Sequence, residues 1–286
     1  MKPSPGPTRS WRSLLAETAS ELGSLSDARR LVEEASGLEG AELVIHLDDA
    51  ATARSGSYLA AMVERRLAGE PLQYVLGRWG FRSLDLMVDR RVLIPRPETE
   101  QVVEWALAEG RCLGPAPLVA VDLGTGSGAI ALSLALELGA QVWATDVSGD
   151  ALDVARANLA GIGVWAATRV RMVEGSWWSA LPPELAGAIN LVVSNPPYVR
   201  TADGLPDEVA HYEPEIALRS GSDGLDAIRA IVAGAGSWLS RPGVLVVELA
   251  PGQAEVALAL ARSADASSAR VQVDMTGRER ALVARW

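Results

Sequence analysis

Residues 191–198 read Leu-Val-Val-Ser-Asn-Pro-Pro-Tyr, an apolar run typical of a buried β-strand that stops at Asn195-Pro196-Pro197-Tyr198. Because each proline lacks a backbone N–H and fixes φ, two in succession cannot continue a sheet ladder. The strand must therefore end where the Asn195 side chain emerges. Ligands of open α/β sheets bind at the carboxyl edge of the strands, so the tetrapeptide marks a candidate site. A plain turn after a buried strand is the alternative for this tetrapeptide taken alone.

A glycine-rich motif precedes this strand. Residues 117–131 read PLVAVDLGTGSGAIA, an apolar run that opens into a turn and then an Ala/Leu-rich helix. The glycines let the backbone approach a ligand and aim the helix N-terminus at it. A second strand run, QVWATD, ends at Asp146, where a carboxylate can accept both hydroxyls of a ribose. Taken alone, the turn also fits the pattern of nicotinamide and flavin enzymes. A tight βα turn that binds no ligand is a further alternative.

Composition narrows the class of protein. The chain has 286 residues, of which 49% are hydrophobic, enough for a large buried core. Its net charge is −10, whereas proteins that bind a phosphate backbone usually have a basic surface. The charge therefore disfavours a nucleic-acid substrate. A single cysteine, Cys112, excludes an intramolecular disulfide and any multi-cysteine metal site. We expect the Cys112 side chain to be buried in the core and to have no catalytic role. We expect no metal site in this protein.

Location and membrane association follow from the apolar runs. The N-terminal residues MKPSPGPTRSW contain no apolar signal region, and no run approaches the roughly eighteen apolar residues of a membrane span. The sequence therefore predicts a soluble cytoplasmic protein that does not enter a membrane.

The chain changes character once along its length. Apolar residues first repeat at helical spacing, which predicts a small helical domain over residues 1–76. Short aromatic and β-branched pieces then predict a hairpin-like connector over residues 77–94. Strand and helix patterns alternate afterwards, which predicts a doubly wound α/β domain over residues 95–286. Seven runs are candidate strands, and they are VAVDL, VWATD, VRMVEG, INLVVSN, GVLVVEL, VQVDM and ALVARW. The last two are close enough for an antiparallel hairpin.

The combination of a glycine turn, a ribose acid and Asn-Pro-Pro-Tyr resembles the class I S-adenosylmethionine methyltransferases that act on conjugated nitrogens. The lone pair of such a nitrogen is delocalised, as the amide rotation barrier of about 18–20 kcal/mol shows. Acceptors placed around the NH₂ group orient it and favour its developing positive charge. The Asn195 side-chain oxygen and the Pro196 carbonyl are the candidates for this role.

Six ordered blocks that cover nearly the whole chain resemble the PrmC/HemK family. They are GEPLQYVLGRWGF (69–81), VLIPRPETE (92–100), VDLGTGSGAIALSLA (121–135), SNPPYVR (194–200), EPEIALRSGSDGLDAIRAI (213–231) and TGRERALVAR (276–285). The resemblance implies methylation of the glutamine amide in the Gly-Gly-Gln motif of bacterial peptide-chain release factors. It also implies a Rossmann-like seven-stranded sheet with the last strand antiparallel, and a helical N-terminal domain that binds the protein substrate.

The resemblance also implies roles for individual residues. S-adenosylmethionine, which leaves as S-adenosylhomocysteine, would contact residues of the glycine turn, the ribose acid, the adenine environment and the Asn-Pro-Pro-Tyr segment, namely Gly124, Thr125, Gly126, Ser127, Gly128, Asp146, Ser176, Trp177 and Asn195. The target glutamine would be held by Asn195, Pro196, Pro197 and Tyr198, of which Asn195, Pro196 and Tyr198 are the candidate catalytic residues.

Two positions depart from the family pattern. Ser176 stands where an Asp usually takes the adenine amino proton, and Asn190 stands where an Asp commonly precedes the fourth strand of the sheet. A serine side chain is shorter than an aspartate side chain and uncharged, which weakens the expected hydrogen bond to the adenine by about 1 kcal/mol. The roles of Arg96, Glu98 and His211 stay open: Glu98, with Glu100, fits a first-turn helix charge or the cofactor mouth.

The sequence thus predicts a protein-glutamine methyltransferase whose partners are release factors. A ribosomal-protein glutamine methyltransferase would use the same Asn-Pro-Pro-Tyr arrangement and is the nearest alternative. Methylation of adenine in DNA is less favoured, because no basic target-reading segment is evident. A non-catalytic cofactor-binding adaptor of the translation machinery is the alternative outside enzymes, and intact Asn195 and Tyr198 speak against it.

Overall fold

The computed structural model describes residues 9–114 and 117–286, so the Pro/Ser-rich first eight residues lie outside the described chain. The described chain divides into two compact units. One contains the described residues up to Gly77 together with Pro206–Tyr212, and the other contains Arg78–Leu205 and Glu213–Trp286. The short segment 206–212 therefore groups with the helical residues, although the sequence places it inside the α/β part.

The secondary structure is mostly helix before residue 77 and alternates afterwards. The helices are α1 (Trp11–Leu22), α2 (Leu25–Ser36), α3 (Ala41–Ile45), α4 (Ala53–Leu67), α5 (Leu72–Leu76), α6 (Pro97–Cys112), α7 (Ala129–Leu138), α8 (Gly149–Gly161), α9 (Val164–Ala167), α10 (Asp207–Tyr212), α11 (Asp226–Trp238) and α12 (Ala254–Ser263). The strands are β1 (Arg78–Phe81), β2 (Leu84–Met87), β3 (Val119–Leu123), β4 (Gln141–Asp146), β5 (Val170–Glu174), β6 (Ile189–Ser194), β7 (Leu239–Glu248), β8 (Ser268–Val273) and β9 (Glu279–Arg285).

The first unit is a helical cluster closed by α10. Side-chain caps begin its longer helices: the backbone N–H of Asp27 donates to Ser24 Oγ at 3.2 Å, and that of Ser55 donates to Thr52 Oγ1 at 3.1 Å. Leu31, Val32, Leu43 and Met62 are among its fully buried core residues. Helix α10 is tied to α4 and the turn after it, because the Tyr212 hydroxyl donates to the Ala68 carbonyl at 2.9 Å.

The second unit contains a seven-stranded sheet in the order β5-β4-β3-β6-β7-β9-β8. Neighbouring strands are parallel except at β9, which is antiparallel to both β7 and β8. All of the predicted strand runs are strands of this sheet, and the predicted Rossmann-like fold with an antiparallel last strand is confirmed. The carboxyl ends of β3, β4 and β6 therefore meet at one edge.

Polar side chains fix β6 between its neighbours. Asn190 accepts from the backbone N–H of Val119 at 2.9 Å and donates to Ser240 Oγ at 3.1 Å. At the other end of β6 the Ser194 hydroxyl donates to the Leu123 carbonyl at 2.6 Å. Asn190, one of the two departures from the family pattern, thus aligns strands at the end of β6 opposite Asn195.

The connector folds as the β1–β2 hairpin and belongs to the second unit from Arg78 on. Arg82, at its turn, pairs with Glu137 at 2.6 Å and with Glu104 at 2.8 Å. Hydrogen bonding to Glu137 raises the pKa of the Arg82 guanidinium above its usual value. After the hairpin, Asn158 exchanges hydrogen bonds with the backbone of Met87 and also donates to the Ser127 carbonyl at 2.8 Å. These bonds hold the connector against α8 and the glycine turn.

The expectation that Cys112 is buried is wrong, because the structure exposes this cysteine at the last position of α6. The local sequence pattern could not show this, because the exposure of Cys112 depends on how the C-terminal end of α6 packs in the fold. In residues 9–114 and 117–286, no helix is long and apolar enough to cross a membrane.

Candidate functional site

A cavity of about 510 Å³ lies at the carboxyl edge of the sheet, within the second unit. This volume falls in the range of about 300–1,000 Å³ that is usual for ligand sites. Its walls come from the ends of successive strands, with residues 124–127 after β3, 146–148 after β4 and 175–177 after β5, and with Asn195 and Pro197 after β6. The sequence motifs therefore meet at a single cavity.

The glycine turn is built from left-handed backbone conformations. Gly124, Gly126 and Gly128 have φ of +77°, +54° and +87°, a region that side chains with a Cβ rarely adopt. Nothing lies within 4 Å of where a Cβ of Gly126 would stand, so the backbone there faces open space. The turn thus presents bare backbone to a ligand at the start of α7.

A buried carboxyl group supports the turn from behind. Asp122 accepts from the Thr125 hydroxyl at 2.6 Å and from the backbone N–H of Ala131 at 3.0 Å. Burial raises the pKa of this carboxyl to about 7. Asp122 therefore connects the end of β3, the turn and the first residues of α7.

Asp146 stands at the end of β4 and lines the cavity. Its oxygens accept from the backbone N–H groups of Gly126 and Ser148, both at 2.9 Å. Burial raises the pKa of Asp146 above its ordinary value. Because an ionised carboxylate offers about four acceptor positions, these two bonds leave room for the two hydroxyls of a ribose. This carboxylate acceptor fits the ribose hydroxyls of S-adenosylmethionine.

The segment after β5 forms an aromatic wall of the cavity. The ring of Trp177 lies 3.5 Å from where a Cβ of Gly124 would stand, so a larger residue in place of that glycine would touch the ring. Ser176 is exposed and also lines the cavity, next to Trp177. An adenine-binding role for these two residues stays a prediction.

The Asn-Pro-Pro-Tyr segment contributes unequally to the cavity. Asn195 and Pro197 line it, whereas Pro196 and Tyr198 lie outside its lining, as does Gly128 of the glycine turn. The Asn195 amide Nδ2 donates to Thr99 Oγ1 at 3.0 Å, and the Tyr198 hydroxyl lies 3.4 Å from Glu248 Oε1. Burial raises the pKa of Tyr198 above its ordinary value, so its hydroxyl is neutral.

Sequence reasoning missed Thr99 and Glu248, which contact the predicted residues directly. It also missed the connector residues 91–93 and residues 216–217 and 219–221, which complete the cavity wall. A signal existed for Glu248, because it is the charged end of the otherwise apolar strand run GVLVVEL. Residues 92–93 and 216–221 lie within two of the blocks that resemble the family, but the blocks alone do not show that these segments reach the cavity, since that depends on how they pack.

The residues whose roles stayed open take part in ion pairs or hydrogen bonds outside the cavity lining. Arg96 pairs with Glu213, and Glu98 lies 3.5 Å from Arg280. Glu100 accepts from the backbone N–H of Arg82 at 3.0 Å. His211 is exposed in α10 and belongs to the first unit. Glu98 and Glu100 thus occupy the first turn of α6 and do not line the cavity.

The strand order is that of the class I methyltransferase fold. Solved structures share this fold: a methyltransferase from Pyrococcus furiosus is 17% identical with a TM-score of 0.53 and covers 79% of this chain and 98% of its own. The N-terminal domain of human METTL16 in complex with SAH is 14% identical with a TM-score of 0.50, covering 95% and 93%.

Sequence comparisons define the family. The PrmC N-terminal domain family matches residues 9–77, and the methyltransferase small domain family matches residues 115–211. The release factor glutamine methyltransferase of Xylella fastidiosa (strain 9a5c) is 40% identical over 95% of this chain and 96% of its own length. That of Deinococcus radiodurans is 40% identical over 91% and 90%. The chain belongs to the release factor glutamine methyltransferase family. The predicted family and its cofactor, S-adenosylmethionine, are thereby confirmed.

Proposed function

We propose that this chain transfers the methyl group of S-adenosylmethionine to the side-chain amide nitrogen of glutamine in the Gly-Gly-Gln motif of release factors. The family supports this substrate, and one observation at the site supports the chemistry. The Asn195 amide stands at the cavity with its Nδ2 engaged by Thr99, which leaves its Oδ1 to accept from an incoming NH₂ group.

We assign a different part of the cavity to each part of the cofactor. The bare backbone of the glycine turn suits the methionine part, Asp146 the ribose, and Trp177 with Ser176 the adenine. When bound, the cofactor supplies an electrophilic methyl group on a sulfonium. Everything else in the reaction is orientation by this chain.

The substrate amide needs acceptors because its nitrogen lone pair is delocalised. We assign the two N–H groups of the substrate amide to the Asn195 Oδ1 and the Pro196 carbonyl, and its plane to the Tyr198 ring; of these three residues only Asn195 lines the cavity. Holding two reactants in line in this way contributes about 7–11 kcal/mol to lowering the barrier. The methylated nitrogen becomes acidic and loses its proton to water, so the reaction needs no general base.

We assign binding of the protein substrate to the N-terminal helical domain, residues 1–76. Removing these residues is expected to lower methylation of a whole release factor far more than methylation of a short Gly-Gly-Gln peptide. S-adenosylhomocysteine binding is the control, since it reports whether the rest of the chain folds. Equal losses with both substrates contradict the assignment.

The partners follow from the same proposal. Release factors act in the cytoplasm, where we place this chain, and its net charge of −10 disfavours a direct nucleic-acid or membrane partner. The test is incubation with labelled S-adenosylmethionine and purified release factors or ribosomal proteins, followed by mass spectrometry of the modified residue. Methyl on the Gly-Gly-Gln glutamine supports the proposal. Methyl on a ribosomal protein alone, or on neither, contradicts it.

A further inference from the structure

A chain of hydrogen bonds begins at Asn195 and ends at a buried carboxylate. Asn195 Nδ2 donates to Thr99 Oγ1 at 3.0 Å, and the Thr99 hydroxyl donates to Glu248 Oε2 at 2.7 Å. Thr99 is 4% exposed and Glu248 is 1% exposed, so water does not compete for these bonds. The three residues come from the end of β6, the first turn of α6 and the end of β7.

We propose that Thr99 and Glu248 are positioning residues that fix which face of the Asn195 amide meets the substrate. An ionised carboxylate can only accept hydrogen bonds, so the Thr99 hydroxyl must donate its one hydrogen to Glu248. The Thr99 oxygen then has no hydrogen left to donate towards Asn195 and can only accept a hydrogen bond there. It can accept from the Asn195 NH₂ group, and it repels the Asn195 oxygen.

The consequence for the substrate passes through Asn195. Thr99 also lines the cavity, so its own effect on cofactor affinity is measured separately. A side-chain amide has two orientations related by a half-turn, and they exchange its oxygen and nitrogen. With Nδ2 held by Thr99, the oxygen is the atom left for a substrate NH₂. In the opposite orientation the Asn195 NH₂ would face the substrate NH₂, donor against donor. The catalytic consequence of this inference rests on the proposed function, whereas the orientation itself does not.

Glu248 sits where its ionisation can control the orientation. Its other oxygen, Oε1, faces the Tyr198 hydroxyl at 3.4 Å, and the charged groups around it are Glu98 and Arg280. Burial is the main cause that raises the pKa of Glu248 to about 7. A protonated Glu248 can donate to Thr99, which frees the Thr99 hydrogen to point at Asn195 and removes the preference between the two amide orientations.

The kinetic test uses a matched pair of variants. Thr99→Val keeps the shape but removes the hydroxyl, and Thr99→Ser keeps the hydroxyl. We expect Thr99→Val to lose about ten- to a hundredfold in single-turnover rate at saturating cofactor and substrate, because misplacing a reacting group costs up to about 10²-fold. Thr99→Ser restores most of that rate. Affinity for S-adenosylhomocysteine and the melting temperature are measured beside it, to separate a positioning defect from a folding defect.

A double variant separates positioning from general support of the fold. Because Thr99 acts through Asn195, adding Thr99→Val to Asn195→Ala should change the rate by less than about twofold. A Thr99→Val rate equal to the wild-type rate overturns the proposal. So does a further tenfold loss in the double variant. If the wild-type protein methylates no release factor, the proposed function fails, and the orientation is then decided by a spectroscopic test.

The spectroscopic test exploits how few asparagines the chain has. They are three, Asn158, Asn190 and Asn195, so selective isotope labelling of asparagine gives a side-chain amide spectrum that Asn195→Ala assigns. We expect the Asn195 amide signals to follow pH around 7, with the ionisation of Glu248. Asn190, bonded to Val119 and Ser240 at the far end of β6, is the internal control.

Variants remove the contribution of other groups that titrate in the same range, such as Asp122. Both Glu248→Gln and Thr99→Val should abolish the pH dependence of the Asn195 signals, although Asp122 still titrates in each. The proposal is overturned if the Asn195 signals ignore pH in the wild-type protein, or if they titrate unchanged in Glu248→Gln.

Discussion

The backbone N–H of Gly126 donates to the Asp146 carboxylate at 2.9 Å, and this bond joins the turn after β3 to the end of β4. Asp146 also accepts from the backbone N–H of Ser148 at 2.9 Å, so its carboxylate is fixed before any ligand arrives. A side chain held in this way loses little conformational freedom on binding. The structure therefore links the shape of the glycine turn and the ribose contact through a single residue.

Cofactor binding is the first prediction. S-adenosylhomocysteine should raise the melting temperature of the protein, because a ligand that binds only the native state stabilises it by about 2.7 kcal/mol at a hundredfold excess over Kd. NAD should not raise it. Asp146→Ala should reduce the shift, which calorimetry and thermal melts can measure. A shift with NAD and none with S-adenosylhomocysteine would contradict the assignment of this cavity to S-adenosylmethionine.

The departure at Ser176 gives the second prediction. Ser176→Asp restores a charged acceptor at the cavity wall, and charge-assisted hydrogen bonds are roughly twice as strong as neutral ones. We expect S-adenosylhomocysteine to bind several-fold more tightly by calorimetry. Ser57→Asp is the matched control, since it adds the same charge on an exposed residue of α4 that does not line the cavity. Unchanged affinity in Ser176→Asp means that Ser176 does not face the adenine.

The third prediction concerns stability and pH. Burial raises the pKa of Asp122 from 3.8 to about 7, so this carboxyl is neutral in both the folded and unfolded states below about pH 4. Between about pH 4 and 7 the unfolded chain releases the proton that the folded protein keeps, and stability falls as pH rises. A pKa difference of about three corresponds to a loss on the order of 4 kcal/mol.

Asp122→Asn should remove this dependence. The variant is expected to gain stability relative to the wild type, that is, its free energy of unfolding should become larger relative to the wild-type value, as pH rises from about 4 to 8. Urea unfolding of both proteins without ligand, at several pH values, measures the difference. A difference that is the same at every pH contradicts the account of Asp122.

Tyr198 provides the fourth prediction. Its hydroxyl lies 3.4 Å from Glu248, a long and therefore weak hydrogen bond, so the ring rather than the hydroxyl is expected to position the substrate amide. Tyr198→Phe should retain most of the methylation rate, and Tyr198→Ala should lose most of it. Single-turnover rates on one release factor decide this. Equal losses in the two variants would show that the hydroxyl is the essential group.

The sheet was predictable because its signals are local. Each strand is an apolar run bounded by turn residues. The link between β8 and β9 is short, which predicts that these two strands pair antiparallel. The glycine turn, Asp146 and Asn195 were predictable for a related reason: each directly follows a strand, and parallel strands end at one edge.

The Thr99–Glu248 bond was not predictable in this way. It joins residues 149 positions apart and depends on where the first turn of α6 packs against the end of β7. The wrong expectation for Cys112 has a similar origin, since only the packing of α6 determines which of its ends reaches solvent. Long-range packing also decides that the connector lines the cavity.

The central claim is that the Asn195 amide orients a glutamine NH₂ for methyl transfer. The most direct measurement is the single-turnover rate of Asn195→Ala on a release factor that contains Gly-Gly-Gln, with the same factor lacking that glutamine as control. Losing one preorganised polar contact costs roughly 2.7–4 kcal/mol, so the account predicts a rate about 10²–10³-fold lower, with a folded protein and a smaller loss of cofactor affinity. Near-full activity in Asn195→Ala, or equal methylation of the factor without the glutamine, would contradict it.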